Sequence, residues 1–156
     1  MSILDSLKEF LDGHGVEYIV STHRPTFTAT DAAGVEHVSP REHAKTVVVM
    51  ADDRAVLAVL RASDKLDVHK LPVRRARLAS EKEMNHLFPG CELGAMPPFG
   101  NLFGFPVYVE RGLVGDEWIN FLAGNHTQSV RIRYVDFERL VEPTIDDYVL
   151  RPGEAC

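Results

Sequence analysis

Lys45 heads the run Ala44-Lys45-Thr46-Val47-Val48-Val49. A cation at the start of so apolar a strand must be desolvated, and it then needs a partner or a task. Two readings fit: the side chain snorkels until its ammonium meets water, or the ammonium serves a substrate. The loop Gly94-Ala95-Met96-Pro97-Pro98-Phe99-Gly100 is the second candidate. Gly94 and Ala95 are small enough to let another group approach the main chain. Pro97 and Pro98 stiffen the loop, and amides ahead of them can donate to an oxygen gaining negative charge. A rigid structural turn would use the same residues.

The remaining reactive side chains form no familiar machine. Among seven histidines, His14 and His23 are nine apart and His37 and His43 six apart, neither of them the i, i+4 pair of a helical metal motif. His86 and Cys91 straddle a helix end with no second cysteine nearby, so no metal or other cofactor is expected. Cys91 lacks a visible base to activate it and reads as an inert thiol. The loop from Gly94 to Gly100 lacks the Lys-Ser/Thr ending of a phosphate loop. Gly13-His14-Gly15 is more simply a helix stop. The densest positive stretch is His69, Lys70, Arg74, Arg75 and Arg77. It is either a solvated helix face or a grip on a few phosphates.

These candidates need elements to hold them. Ile3, Leu4, Leu7, Phe10 and Leu11 recur at helical spacing, which predicts a helix over 2–12 capped by Ser2. Strands are predicted over 17–22, 44–50, 55–60 and 106–110, with Asp52-Asp53 turning the second into the third. Thr28 or Thr30 caps a short helix through Ala32 and Ala33. Further short helices are expected at 67–71 and at 80–87, the latter opening with the capping-box spacing Ser80-Glu81-Lys82-Glu83. Asp116 is expected to cap a helix through Phe121 and Leu122 that ends at Gly124. Residues 129–134 alternate as a strand, and a final helical turn or two covers 136–140. The tail from about residue 143 is weakly specified. Irregular mixing of strands and helices favours an α+β domain over a doubly wound sheet.

Bulk composition narrows the classes. The 156 residues suit one domain, 1–156, with a substantial core, and 45% hydrophobic with 26% charged residues is an ordinary globular balance. No apolar run approaches a membrane span, and the N-terminal residues do not read as a secretory signal. Two cysteines, Cys91 and Cys156, fit a reducing cytoplasm better than a disulfide scaffold. A net charge of −6 makes long tracts of nucleic acid poor partners, although a local patch can hold one end of a polynucleotide.

Four stretches together resemble the YbaK family of aminoacyl-tRNA deacylases, which is similar to the editing insertion of bacterial prolyl-tRNA synthetases. They are His23-Arg24-Pro25-Thr26-Phe27-Thr28, Ala44 to Val49, Gly94 to Gly100, and Ala123-Gly124-Asn125-His126. The resemblance spans roughly Leu4 to Tyr148. It implies a strongly curled, barrel-like mixed sheet flanked by helices. It also implies hydrolysis of the ester that joins a small wrong amino acid, such as alanine or cysteine, to the tRNA 3′ end, with proline tRNA the expected carrier. Lys45 and Gly94 map to the catalytic positions. His23, Thr28, Ala95, Met96, Pro97, Pro98, Phe99, Gly100, Gly124 and His126 map to substrate binding, and Lys70, Arg74 and Arg75 are the tRNA contacts. The family implies neither a metal nor a protein nucleophile, and a ribose hydroxyl of the terminal adenosine helps activate water. Lys45 would bind the terminal phosphate or ribose, or orient the aminoacyl group. The acidic surface implies weak intrinsic tRNA affinity, which association with an aminoacyl-tRNA synthetase would offset. The alternative is a non-catalytic module of the same fold that binds a nucleotide or a synthetase.

Overall fold

The computed structural model describes residues 2–25 and 43–151. Among these residues three helices, α1 (Ile3–Gly13), α2 (Glu81–Leu87) and α3 (Tyr134–Val141), accompany eight strands. The strands are β1 (Tyr18–Thr22), β2 (Ala44–Ala51), β3 (Arg54–Arg61), β4 (Ala76–Leu78), β5 (Val107–Glu110), β6 (Trp118–Leu122), β7 (Gln128–Arg133) and β8 (Thr144–Asp146).

The α+β class holds, but the strongly curled, barrel-like sheet does not. The strands form two open sheets, ordered β1-β7-β6 and β4-β2-β3-β5-β8. Closure needs a continuous ladder around the ring. Here one isolated bridge, His43 to Asn120, joins the start of β2 to β6. The larger sheet ends on β4 and β8, each three residues long. Such short edges offer too few main-chain groups to close a barrel.

The main core lies between the sheets. β2 and β3 form an eight-residue antiparallel pair around the Asp52-Asp53 turn, where Asp52 sits at φ 56°. Ala44, Val48 and Met50 point into the main core, together with Leu57 and Val59 of β3. Ile119 and Phe121 of β6 and Val130 and Ile132 of β7 close it from the smaller sheet. Leu4, Leu7 and Leu11 of α1 are buried against it, and the Ser2 hydroxyl accepts from the Asp5 amide to cap that helix. The opposite face of the larger sheet carries a second cluster of Val49, Val56, Ala58, Leu71 and Tyr148.

Several elements differ from the sequence reading. Residues 118–122 are a strand, not a helix. Ile119 and Phe121 face the main core while Asn120 and Leu122 are buried on the other side, so the segment is covered on both faces and shows no alternation. Asp116 pairs with Arg61 at 3.2 Å rather than capping a helix. The weakly specified tail is structured over its described part, 143–151. β8 runs parallel to β5, and the Tyr148 amide donates to Glu110 Oε1 at 2.8 Å. The segment 67–71 narrows to a 3-10 turn at Val68–Lys70, whereas the capping box at Ser80 and Glu83 forms fully. The helix expected after Thr28 or Thr30, and Thr28 itself, lie outside the described residues.

Candidate active site

The glycine–proline loop and the late glycine turn meet. Gly124 N–H donates to Ala95 O at 2.7 Å, and Glu92 N–H donates to Gly124 O at 2.9 Å. His126 completes the clasp. Its amide donates to Glu92 Oε1 at 3.0 Å, and its Nε2–H donates to Leu93 O at 2.7 Å. Gly94 sits in this clasp at φ +82°, and a Cβ there would stand 3.7 Å from the His126 ring. The left-handed conformation explains glycine at position 94, since the 3.7 Å approach is ordinary contact. Gly124 answers to a different neighbour: at φ +97°, its Cβ would fall 2.7 Å from Ile3 of α1. That glycine lets the first helix close over the turn.

The rest of the loop is buried support. Ala95 is fully buried against Leu122. Met96, Pro97 and Pro98 are buried as well. Phe99 packs among Phe10, Phe121 and Phe137 at centroid distances of 5.4 to 6.0 Å. Gly100 has no room for a Cβ, which would lie 2.0 Å from Phe105 O. The proline-stiffened segment anchors the loop in the core, and Gly94 is its exposed tip.

Leu122 leads from the loop to a buried polar row on the same side of the smaller sheet. It pairs in register with Ser129, whose hydroxyl is 3.0 Å from His23 Nε2. The His23 amide is fixed by Thr127 O at 2.8 Å. Two residues along β6, Asn120 Nδ2 donates to His43 Nδ1 at 3.1 Å. His43, Asn120 and Ser129 are at most 2% exposed. Asn120, Ser129 and His43 are the site residues that sequence reasoning missed. The polar residue inside the apolar run 118–122 was the available signal, because a buried amide needs a partner.

Lys45 follows His43 by two residues, about 7 Å along β2. It is partly buried, and its ammonium donates to Ala62 O and Asp64 O beyond the end of β3. Burial pushes its pKa below the ordinary value of 10.5, and the nearby Asp64 carboxylate opposes that shift. Two of the three ammonium donors are thereby engaged, leaving a third for a substrate oxygen.

The proposed tRNA contacts lie apart from one another in role. Lys70 donates to Val149 O at 2.7 Å and lies 3.7 Å from Asp147, which ties it to the C-terminal segment. Arg75 is 80% exposed in its side chain, beside Asp52 at 3.6 Å. Arg74 precedes it in the exposed turn leading to β4. Among the described residues no group of three or more His, Cys, Asp or Glu could hold a metal ion, and no helix is long and apolar enough to cross a membrane. The Cys91 thiol is pushed up to about 12, first by burial and then by Glu92.

The aminoacyl-tRNA editing domain model matches residues 23–140, from His23 through most of α3. The chain belongs to that family. The resemblance carried by the four sequence stretches is therefore borne out, with aminoacyl-tRNA editing, a fidelity step of translation, as the family's field of action. No curated relative matches the editing domain in sequence. Its fold recurs in solved structures. A proposed trans-editing enzyme for prolyl-tRNA synthetase is 20% identical, with a TM-score of 0.82 over 97% of this chain and 99% of that one. A scaffold protein used in computational epitope grafting is 18% identical, with a TM-score of 0.80 and coverage of 97% and 99%. A proposed signal transduction protein from Marinobacter aquaeolei VT8 matches at 18% identity and a TM-score of 0.73, over 97% of this chain but 31% of that one.

Proposed function

We propose that this editing domain hydrolyses the ester of tRNA mischarged with a small amino acid, acting as a free-standing deacylase without a metal. The observation that carries this reading is the clasp of Gly94 and His126, joined through Ala95 and Leu122 to the polar row Ser129–His23 and Asn120–His43. It offers main-chain amides at an exposed glycine tip, and Lys45 lies on β2 two residues beyond His43. Ala95 N–H is returned to Glu92 O, so the Gly94 and Met96 amides are the loop donors for an incoming carbonyl oxygen. Water adds to the ester carbon, and the bond to the ribose oxygen breaks. The proton passes to that oxygen, which releases the amino acid and uncharged tRNA. A ribose hydroxyl of the terminal adenosine assists the attack, and the protein positions the ester and stabilises charge. Lys45 holds the terminal phosphate or orients the aminoacyl group. Arg74 and Arg75 add outlying attraction for the RNA backbone.

The reading expects alanine, cysteine or serine as the amino acid removed, and proline tRNA is the expected carrier. A deacylation panel of alanyl-, cysteinyl- and seryl-tRNA, with mischarged proline tRNA and with chelator present, tests this. Release of at least one small amino acid is expected. A panel that stays charged at high protein concentration refutes the enzyme reading.

A further inference from the structure

Beyond the site, the outer face of the smaller sheet carries an arrangement that the reaction does not use. In the β6–β7 ladder, Trp118 lies opposite Arg133, Asn120 opposite Arg131 and Leu122 opposite Ser129. Alternation puts all six on the face away from the main core, since Ile119, Phe121, Val130 and Ile132 occupy the other. Two guanidinium groups attend one indole. Arg133 Cζ is 4.5 Å from the Trp118 ring centroid and Arg131 Cζ is 5.5 Å from it.

We propose that Trp118, Arg131 and Arg133 form the landing platform for the unpaired nucleotides that precede the ester in the tRNA 3′ end. The proposal rests on the editing reading above and names the partner surface of that same site. Position is the first support. The face runs from Trp118 and the exposed Arg133 to the buried Asn120, Ser129 and Leu122, which adjoin His23, His43 and Ala95. From Trp118 to Leu122 the strand covers about 13 Å, so the accessible Trp118 end stands a few nucleotide lengths from the site. Charge is the second. The chain carries −6 overall, yet two cations stand side by side here. Arg133 has a carboxylate partner in Glu117, but at 3.4 Å with side chains 45% and 74% exposed. A pair that open to water holds its arginine weakly, so phosphate can take the guanidinium over. Chemistry is the third. An indole beside guanidinium groups stacks on any base while the charges meet the backbone, which suits a single strand and not a duplex. Ile19, opposite Arg131 on β1 and 55% exposed, extends the apolar part of the platform.

Trp118 is the sole tryptophan of the chain, so intrinsic fluorescence reports on this ring alone. The full chain is titrated with a single-stranded RNA that carries no amino acid and ends in the tRNA 3′ sequence cytidine-cytidine-adenosine, and separately with a blunt RNA duplex of equal phosphate charge. Expected are saturable quenching by the single strand, at least fivefold weaker binding of the duplex, and a log–log salt slope of about −1 to −2. Arg133→Ala should weaken single-strand binding at least fivefold. In deacylation, Trp118→Ala should raise KM with kcat held within about twofold. Circular dichroism verifies that both variants are folded. Equal binding of duplex and single strand, or wild-type affinity in Arg133→Ala, overturns the platform. Turnover with KM unmoved in both variants also overturns it and leaves the editing reading standing. Single-strand binding without any turnover by the wild type has the opposite meaning: the platform stands and the editing reading falls.

Discussion

Replacing Lys45 by methionine gives the most direct test of the chemistry. Methionine keeps an unbranched apolar stem against β2 and removes only the ammonium. In the folded domain that ammonium is partly desolvated and held on Ala62 O and Asp64 O. Losing it relieves a desolvation cost but removes hydrogen bonds to two carbonyls, each worth about 1.5 kcal/mol or somewhat more from a charged donor. The two effects oppose, so stability should move by no more than about 1–2 kcal/mol. Activity should move much further. An electrostatic contact that tightens in the transition state is worth ~10²–10³ in kcat, or about 2.7–4 kcal/mol. Lys45→Arg should rescue only partly, because a broad planar guanidinium cannot take the same seat between the carbonyls. The pH dependence follows from the lowered pKa. As pH rises, the ammonium is lost below the ordinary 10.5, so the activity that depends on it declines earlier than for an exposed lysine. In that same window the unfolded chain holds more protons than the folded one, so this group makes stability rise with pH. Single-turnover deacylation, corrected for spontaneous ester hydrolysis, gives the rate, and thermal melting gives the stability. A folded Lys45→Met protein within about twofold of wild type refutes the role, since that lies far below the penalty expected from a lost charge contact.

Gly94→Ala places a Cβ at φ +82° beside the His126 ring and should cost about 1–2 kcal/mol of stability from backbone strain. If Gly94 forms the carbonyl-facing tip, turnover should fall at least tenfold in protein that melts cooperatively, and wild-type turnover would remove the loop from the site. Cys91→Ser should keep full activity, and the wild type should resist iodoacetamide at neutral pH, because a thiol raised to about 12 carries almost no thiolate; loss of activity on alkylation would contradict this. Asn120→Ala removes the Nδ2 donor from the buried His43 Nδ1 and should cost about 1–3 kcal/mol, read by denaturant titration, with His43→Ala adding less than its own single-variant cost. Arg74→Glu with Arg75→Glu should raise KM severalfold at low salt and lose that effect at high salt; unchanged kinetics at low salt would make the turn a solvated surface.

Local signals in the chain were readable wherever one residue's chemistry decided the outcome. The Ser80–Glu83 capping box, the turn at Asp52 and the helical repeat of Leu4, Leu7 and Leu11 all formed as the spacing predicts. Gly94 and His126 belong to different sequence stretches, yet the fold closes one upon the other. What escaped depends on burial from two sides. Residues 118–122 alternate between two buried environments, so their apolar content fits helix and strand equally, and tertiary pairing with β7 decides. The basic stretch 69–77 reads from sequence as a solvated helix face or a grip on phosphates, but Lys70 turns to Asp147 while Arg77 binds Glu83 at 2.7 Å. Charges are read from a sequence one at a time, whereas their partners are set by long-range contacts.

The same two-sided burial of β6 explains why the site and its missing members coincide. A strand with core on one face can lend its other face to polar groups only if each finds a partner there. Asn120 finds His43, and Ser129 finds His23. Both histidines border the stretch 24–42 that joins β1 to β2, so the row fixes the two ends of that connection as well as the wall beside Ala95. One polar row thus ties the two sheets together at the His43–Asn120 bridge. Weakening it should therefore disturb the relation of Lys45, on one sheet, to Gly94, whose loop is clasped to the other. Asn120→Ala should accordingly slow single-turnover deacylation more than Phe99→Leu, even though Phe99 is buried among three other phenylalanines and is expected to cost as much stability or more. Parallel measurement of melting and turnover on the two variants separates the cases. Equal rates in both would show that the row serves stability alone.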